Sequence, residues 1–290
     1  MKDFFKFGGQ LNSKQSFLIA VIGSFLILAI WQLGCMISGV SPTILPAPSD
    51  IIKSFGTLYS DYNLLTNAWF SIKLNFLGYF EAILIALPVG FLIGLIPGCN
   101  ALFSGYVNAL RFLPITALTG IFILWFGIDI SMKVHFLSFG ILIYLLPVIT
   151  QRIFETDKVH LQTIYTISNK NWHTFRHVYL PSALSRISDD IRVLVAISWT
   201  YIIVAELINK EGGIGAMIFS STKQSRIDQV FAELIIIICI GVLQDLLFKL
   251  LDYLAFPFKY ESSQLKVSRL KLILNSAIAI KIKTYIIKQS

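Results

Sequence analysis

Long apolar runs separated by short polar stretches set the first expectation for this chain. A helix that crosses a bilayer needs about 20 mainly apolar residues. Runs of this kind fall at 17–37, 74–96, 134–150, 187–208 and 230–255. A further apolar region, 101–127, holds Arg111 followed by Pro114. It reads as a short helix, a kink at the proline and a span ending at Trp125, Phe126 and Gly127, with Trp125 suited to a membrane–water boundary. The pattern predicts an all-α, polytopic transmembrane helical bundle of about six spans.

The stretches between the runs carry their own signals. Ser41 to Asp50 holds three prolines and cannot be a helix interior. Ser49 or Asp50 is then placed to cap a short amphipathic helix toward Tyr59. Within 74–96, Pro88, Gly90 and Gly94 interrupt the apolar composition. Membrane helices tolerate such residues, and small ones let helices approach closely. The longest internal polar stretch is 151–186, and its centre, His160 to His177, has helical spacing with Ile164, Ile167, Trp172 and Phe175 available for one apolar face. The expected organisation is an N-terminal stub at 1–15, a membrane domain at 16–258 that includes the 151–186 loop, and a basic tail at 259–290. The first apolar run lacks a small-residue cleavage site and reads as a retained helix.

Composition supports this picture. The chain is 56% hydrophobic and 14% charged, with mean hydropathy +0.73, whereas a soluble domain carries roughly 25% charged residues. The net charge of +8 would raise nucleic-acid binding in a soluble chain. Here it follows the excess of Lys and Arg in cytoplasmic loops, and no nucleic-acid partner is expected. Segments 1–14, 151–186 and 259–290 hold three, five and seven Lys/Arg, against two, one and three in 39–75, 127–134 and 209–228. That asymmetry puts both termini and the 151–186 loop in the cytoplasm. The tail spaces Leu270, Ile273, Leu274, Ala277 and Ile280 like a helix, but Lys281 and Lys283 stop it from spanning. It either lies on anionic membrane lipid or stays disordered.

Ionisable residues inside spans usually face a cavity or a partner. Arg111 either attracts an anion, pairs with Glu81, or snorkels to the interface. Asp245 and Lys249 are spaced to pair along one helix face, and Asp189 and Asp190 fall near Arg186. Cys35, Cys99 and Cys239 match no metal pattern and read as apolar fillers. His173 and His177 share i, i+4 spacing, but no carboxylate or cysteine completes a metal set. No phosphate-binding Gly-x-x-x-x-Gly-Lys-Ser/Thr is present. The spans hold no nucleophile set, so a membrane enzyme is disfavoured; a secondary transporter or channel that needs no ATPase is the competing class.

Four stretches occur in an order that resembles a known family. They are Leu45-Pro46-Ala47-Pro48-Ser49-Asp50; Leu87-Pro88-Val89-Gly90 with Gly94; Leu110-Arg111-Phe112-Leu113-Pro114 leading to Leu124-Trp125-Phe126-Gly127-Ile128; and the block from Gln162 through Val178-Tyr179-Leu180-Pro181-Ser182-Ala183 to Arg192, Trp199, Ala205-Glu206 and Gly213-Ile214-Gly215. Together they resemble the inner-membrane permease of binding-protein-dependent ABC importers, most closely the branch for nitrate, sulfonates, taurine or bicarbonate. The resemblance implies a type I importer permease that moves a small solute as a homodimer. Its implied partners are cytoplasmic ABC ATPase subunits and an extracytoplasmic solute-binding protein. It also implies no catalysis on this chain, ATP and Mg being held by the partner ATPase. Gln162, Ser168, Trp172, His173, Phe175, Leu180 and Pro181 then belong to a loop that docks on the ATPase. Arg111, Pro114, Arg192, Trp199, Glu206, Gly213 and Gly215 are the candidates for translocation or gating. The family's Glu-Ala-Ala and following Gly correspond here to Gln162-Thr163-Ile164 and Ser168, a departure at its most diagnostic positions.

Overall fold

The computed structural model describes residues 12–167, 170–208 and 212–261, and their regular structure is entirely helical. The tail beyond residue 261, the stub before residue 12 and Ser168 lie outside the described residues. Helix α1, Ser13–Ser38, buries none of its residues and ends at Gly39 in the left-handed conformation, φ 62°. Its apolar side chains, Phe17, Phe25 and Ile30 among them, are exposed, as a lipid-facing helix requires. Helix α2, Pro48–Asp61, begins at its proline with Ala47 as N-cap. Neither Ser49 nor Asp50 caps it; proline, which has no N–H to leave unpaired, takes the first turn instead.

The core is built on a size match between two helices. Helix α3, Leu64–Leu95, places Gly78, Ala82, Ala86, Gly90 and Gly94 at successive fourth positions. Helix α6, Ile130–Phe154, places Leu137, Ile141, Leu145, Ile149 and Ile153 at the same spacing, all buried. A Cβ added at Gly78 would lie 2.7 Å from Leu137, one at Gly90 2.6 Å from Ile149, and one at Gly94 2.6 Å from Ile153. A ridge of branched side chains thus fills a groove of small ones. The pairing rises in the same sense along both sequences, so α3 and α6 run parallel.

Parallel neighbours need a return crossing, and the region 97–126 supplies it in two pieces. Helix α4, Pro97–Leu110, and helix α5, Thr119–Phe126, flank a short 3-10 turn, Ile115–Leu118. The two arms meet at 94°. The expected kink is present: Pro114 heads a new 3-10 turn rather than continuing α4, and the helix after it ends at Phe126. Among the described residues, five helices are long and apolar enough to cross a membrane, and the bent pair makes a sixth if counted as one span. Ring contacts of Phe122 with Phe136 and Phe139, and of Phe126 with His135, lay α5 against the first turns of α6.

Helix α9, Leu180–Ile208, runs antiparallel to both. Asn75 Nδ2 donates to Ser198 Oγ at 2.9 Å and the Tyr79 hydroxyl to the Ile191 carbonyl at 3.3 Å. Helix α11, Ile227–Ala255, closes the bundle. Trp199 Nε1 donates to Gln244 Oε1 at 2.8 Å, and Gln244 Nε2 donates to Asn75 Oδ1 at 2.9 Å. A hydrogen-bonded chain from Trp199 through Gln244 and Asn75 to Ser198 therefore ties α11, α3 and α9 together inside the apolar bundle. Helix α3 starts at Leu64, well before the expected 74, because Asn67, Ser71 and Asn75 all turn inward to partners.

Candidate functional site

The bundle has two unlike ends. One, the loop end, carries the last turns of α3 and α6, the first turns of α9, and the short helices α7, Lys158–Ile167, and α8, Asn171–Thr174. The other, the clasp end, carries α10, Ile214–Lys223.

At the loop end the expected continuous 160–177 helix is in two pieces, α7 and a segment starting at Asn171. From Asn171 the chain is helical to Ile208, a 38-residue rod that passes through a π turn, Phe175–Tyr179. Pro181 accounts for that turn: it has no N–H to return to the previous helical turn, so the winding loosens just before it. Trp172 and Phe175, expected on one apolar face, lie side by side and line one groove with Phe91 and Tyr165, but differ in burial. Phe175 packs edge-on against Phe91 of α3, ring centres 5.5 Å apart. Trp172 lies 5.4 Å from Phe175 and stays 63% exposed. Gln162 and His173 are exposed, Leu180 and Pro181 half-buried. His177 Nδ1 lies 3.0 Å from the His173 carbonyl. Among the described residues, no group of three His, Cys, Asp or Glu could hold a metal ion.

Ion pairs fasten this end from outside. Arg152 makes a two-pronged contact with Asp190, 2.7 Å on each bond, and reaches Glu155 at 2.7 Å. The Arg152 guanidinium, and after it the Gln151 amide, hold the Glu155 carboxyl below the usual carboxylate range. Arg186 donates to the Glu155 carbonyl at 2.7 Å rather than meeting Asp189 or Asp190. Past α11, helix α12, Phe258–Glu261, brings Lys259 to 3.0 Å from the buried carboxylate of Asp252 and 2.7 Å from Asp189. Tyr260 donates to Asp252; burial, then that carboxylate, push its hydroxyl up to about 12.

Inside the bundle one expected pairing is replaced, and of the alternatives open to Arg111 the pairing with Glu81 is not taken up. Asp245 is held by Arg192 of α9, bonds of 3.1 and 3.2 Å, and not by Lys249 on its own helix. Glu81 meets His135 across the α3–α6 seam at 2.8 Å, and not Arg111. In both cases packing brings a partner on another helix nearer than the one sequence spacing offered.

The clasp end gathers Glu206, Gly213 and Gly215 around the start of α10. The first N–H groups of a helix have no partner within it, and here three in succession are taken. Gly213 N donates to Asn67 Oδ1 at 2.9 Å, Ile214 N to Ser71 Oγ at 2.9 Å, and Gly215 N to Glu206 Oε2 at 2.8 Å. Ser71 Oγ also donates to Glu206 Oε1 at 2.6 Å. The Glu206 carboxylate, fully buried, sits where the helix dipole favours negative charge. Gly213 has φ 100°, and a Cβ there would overlap that carboxylate. A Cβ at Gly215 would come within 2.8 Å of the Ile203 carbonyl. Lys133 of α6, also fully buried, acts electrostatically on Glu206 and lies 5.2 Å over the Phe70 ring.

Arg111 and Pro114 lie apart from both ends, at the α4–α5 bend. Arg111 lines a cavity of about 570 Å³ between α4 and α6, and its guanidinium lies 5.5 Å over the Phe112 ring. Sequence reasoning missed Asn67, Ser71 and Lys133, and with them Asn75 and Gln244. An asparagine or serine beside a span reads as loop, and Lys133 was counted among loop charges.

A helical rod runs from an exposed aromatic at one end of an apolar bundle to a buried clasp at the other, beside a cavity that Arg111 lines, the build of a membrane-spanning helical subunit. The sequence model of the binding-protein-dependent transport system inner membrane component matches residues 86–254. The SsuC permease of Bacillus subtilis (strain 168), named for aliphatic sulfonates transport, is 31% identical over 228 residues, 78% of this chain and 82% of its own. TauC of Escherichia coli (strain K12), a taurine transport system permease protein, is 24% identical over 76% of this chain and 82% of its own. The inward facing MetNI methionine ABC transporter shares the fold, with TM-score 0.58 over 67% of this chain and 97% of that one at 16% identity. This chain belongs to the binding-protein-dependent transport system inner membrane component family. It is a multi-pass membrane-spanning permease of an ABC importer.

Proposed function

We propose that this permease carries a small organic anion, an aliphatic sulfonate, as a homodimer set between two ATPase subunits and a solute-binding protein. The loop end and both termini then face the cytoplasm, the clasp end faces the binding protein, and ATP with Mg resides on the ATPase. The observation that carries this reading is the continuous helix from Asn171 to Ile208. At 1.5 Å per residue it is about 57 Å long, far more than the roughly 30 Å of a hydrocarbon core. Its loop end therefore stands clear of lipid and presents Trp172, a suitable anchor for a partner groove.

The same rod carries Arg192, Trp199 and Glu206, so a push at Trp172 reaches α11 through the Arg192–Asp245 and Trp199–Gln244 bonds and α10 through Glu206. The excess of Lys and Arg in 151–186 supports the orientation. The names of SsuC and TauC support the solute class, since taurine is itself an aminoalkyl sulfonate. The test is reconstitution in liposomes with ATPase and binding protein, measuring ATP-dependent uptake of ethanesulfonate. Uptake should vanish without the ATPase and after the double substitution Thr163→Pro/Thr166→Pro in α7. Flux through the permease alone, or normal uptake in the double variant, would overturn the coupling.

A further inference from the structure

Helix α4 is two-faced in a way the packing of the bundle does not use. Asn100, Ser104, Asn108 and, just past its end, Arg111 recur at intervals of four, four and three, so they line one face. Leu102, Phe103 and Tyr106 lie on the opposite face and are exposed, as contact with lipid would have it. A polar stripe on a helix in a membrane is costly unless something polar meets it. Here it meets a cavity of about 570 Å³, whose far wall on α6 includes Thr150 and Glu155.

The charge balance of that cavity fixes its preference. Glu155 is neutralised by Arg152 at 2.7 Å and Arg186 at 3.7 Å. Thr150 spends its hydroxyl proton on the Leu146 carbonyl. Arg111 has no carboxylate within ion-pair distance among the described residues; its one recorded contact is the Phe112 ring. The cavity thus presents one uncompensated positive charge; beside it Asn108 keeps one amide N–H, the other donating to the Ser104 carbonyl at 2.8 Å, and Ser104 and Asn100 follow along α4. We propose that this face of α4 is the permease's own solute subsite, in which Arg111 takes the oxyanion head of a small organic anion. Asn108, Ser104 and Asn100 then receive its oxygens in turn, each one helical turn nearer the loop end.

This assignment rests on the sulfonate reading above, and the test separates the two. A reporter, Val148→Cys, lines the same cavity without belonging to the donor set. It is introduced with Cys35, Cys99 and Cys239 replaced by alanine, in the assembled transporter. Alkylation by N-ethylmaleimide, a neutral reagent, is timed with ethanesulfonate, with its neutral analogue ethanesulfonamide, and with inorganic sulfate. Ethanesulfonate should slow the reaction and ethanesulfonamide should not, while a cysteine at Leu102 on the lipid face should be indifferent to both. Arg111→Gln should raise the half-protecting concentration about tenfold or more, the loss of one charge-assisted hydrogen bond, and Arg111→Lys should restore part of it.

The subsite is overturned if the unaltered transporter imports ethanesulfonate while Val148→Cys is unprotected. Protection that survives Arg111→Gln, or that ethanesulfonamide gives equally, overturns it too. If ethanesulfonate is not imported, the solute reading fails. Protection by sulfate that is lost in Arg111→Gln then upholds the anion site, and none from either anion ends it.

Discussion

The clasp end and the loop end of this permease are held by opposite means. At the clasp, a buried carboxylate, a hydroxyl and an amide take three consecutive backbone N–H groups, and two glycines leave no room for side chains. At the loop end the helix that runs into α9 begins afresh after Lys170, is loosened at 175–179, and is fastened by ion pairs around Arg152 and Lys259. Buried bonds of the first kind are costly to break singly, because the abandoned partner cannot turn to water. The partly exposed pairs of Arg152 are cheaper to break and remake, whereas Lys259 holds a buried carboxylate, Asp252. One end is built to keep its shape while the other can change it, which is the division a rod-driven transporter needs.

The sharpest way to break this contrast is Glu206→Leu. It strips Gly215 and Ser71 of their shared acceptor and leaves buried Lys133 without a nearby negative charge, which should cost about 3–5 kcal/mol, seen as a large drop in melting temperature in detergent; Glu206→Gln should lose much less. Gly213→Ala comes next, at about 1–3 kcal/mol, from overlap with Glu206 and a backbone angle that disfavours a Cβ. At the other end Trp172→Ala should shift stability by under about 0.5 kcal/mol yet abolish most ATP-dependent uptake. A melting loss there as large as at Glu206 would erase the distinction.

The smallest effect concerns pH. The Glu155 carboxyl is held below its ordinary value in the folded protein. Its contribution is therefore present at neutral pH and is lost as pH falls through the folded-state value. The melting difference between the unaltered chain and Glu155→Gln should hold from about pH 7 down to the ordinary carboxylate value of about 4.3 and narrow as pH is lowered below it.

The spans were legible because burial in lipid demands long apolar runs whatever the tertiary partners. The kink at Pro114 was legible because proline acts through its own backbone. The closeness promised by Gly90 and Gly94 was legible too, but the full groove from Gly78 to Gly94 appears only once the matching ridge on α6 is seen. Partners across helices were not legible. Spacing offered Lys249 to Asp245 and left Glu81 without a sure mate, while packing supplied Arg192 and His135. Of the candidate site, Glu206, Gly213 and Gly215 were singled out through the resemblance and lie together at the clasp, although the amide and hydroxyl that complete it read as loop polarity. Trp172 and Phe175 were found as well, but the break before Asn171 divides the helix expected to hold them.

The right-angled bend after α4 has an electrical consequence. With 14 residues, α4 is about 21 Å long, less than the roughly 30 Å of hydrocarbon, so a helix of this length that starts at the membrane boundary ends inside it. Arg111 then stands part way down the transmembrane voltage. That voltage charges about 2.3 kcal/mol per elementary charge for each 100 mV crossed, and an anion entering a negative interior must climb it. A fixed cation inside the field divides that climb into two shorter steps, so the bend would set where along the path the voltage acts on the cargo.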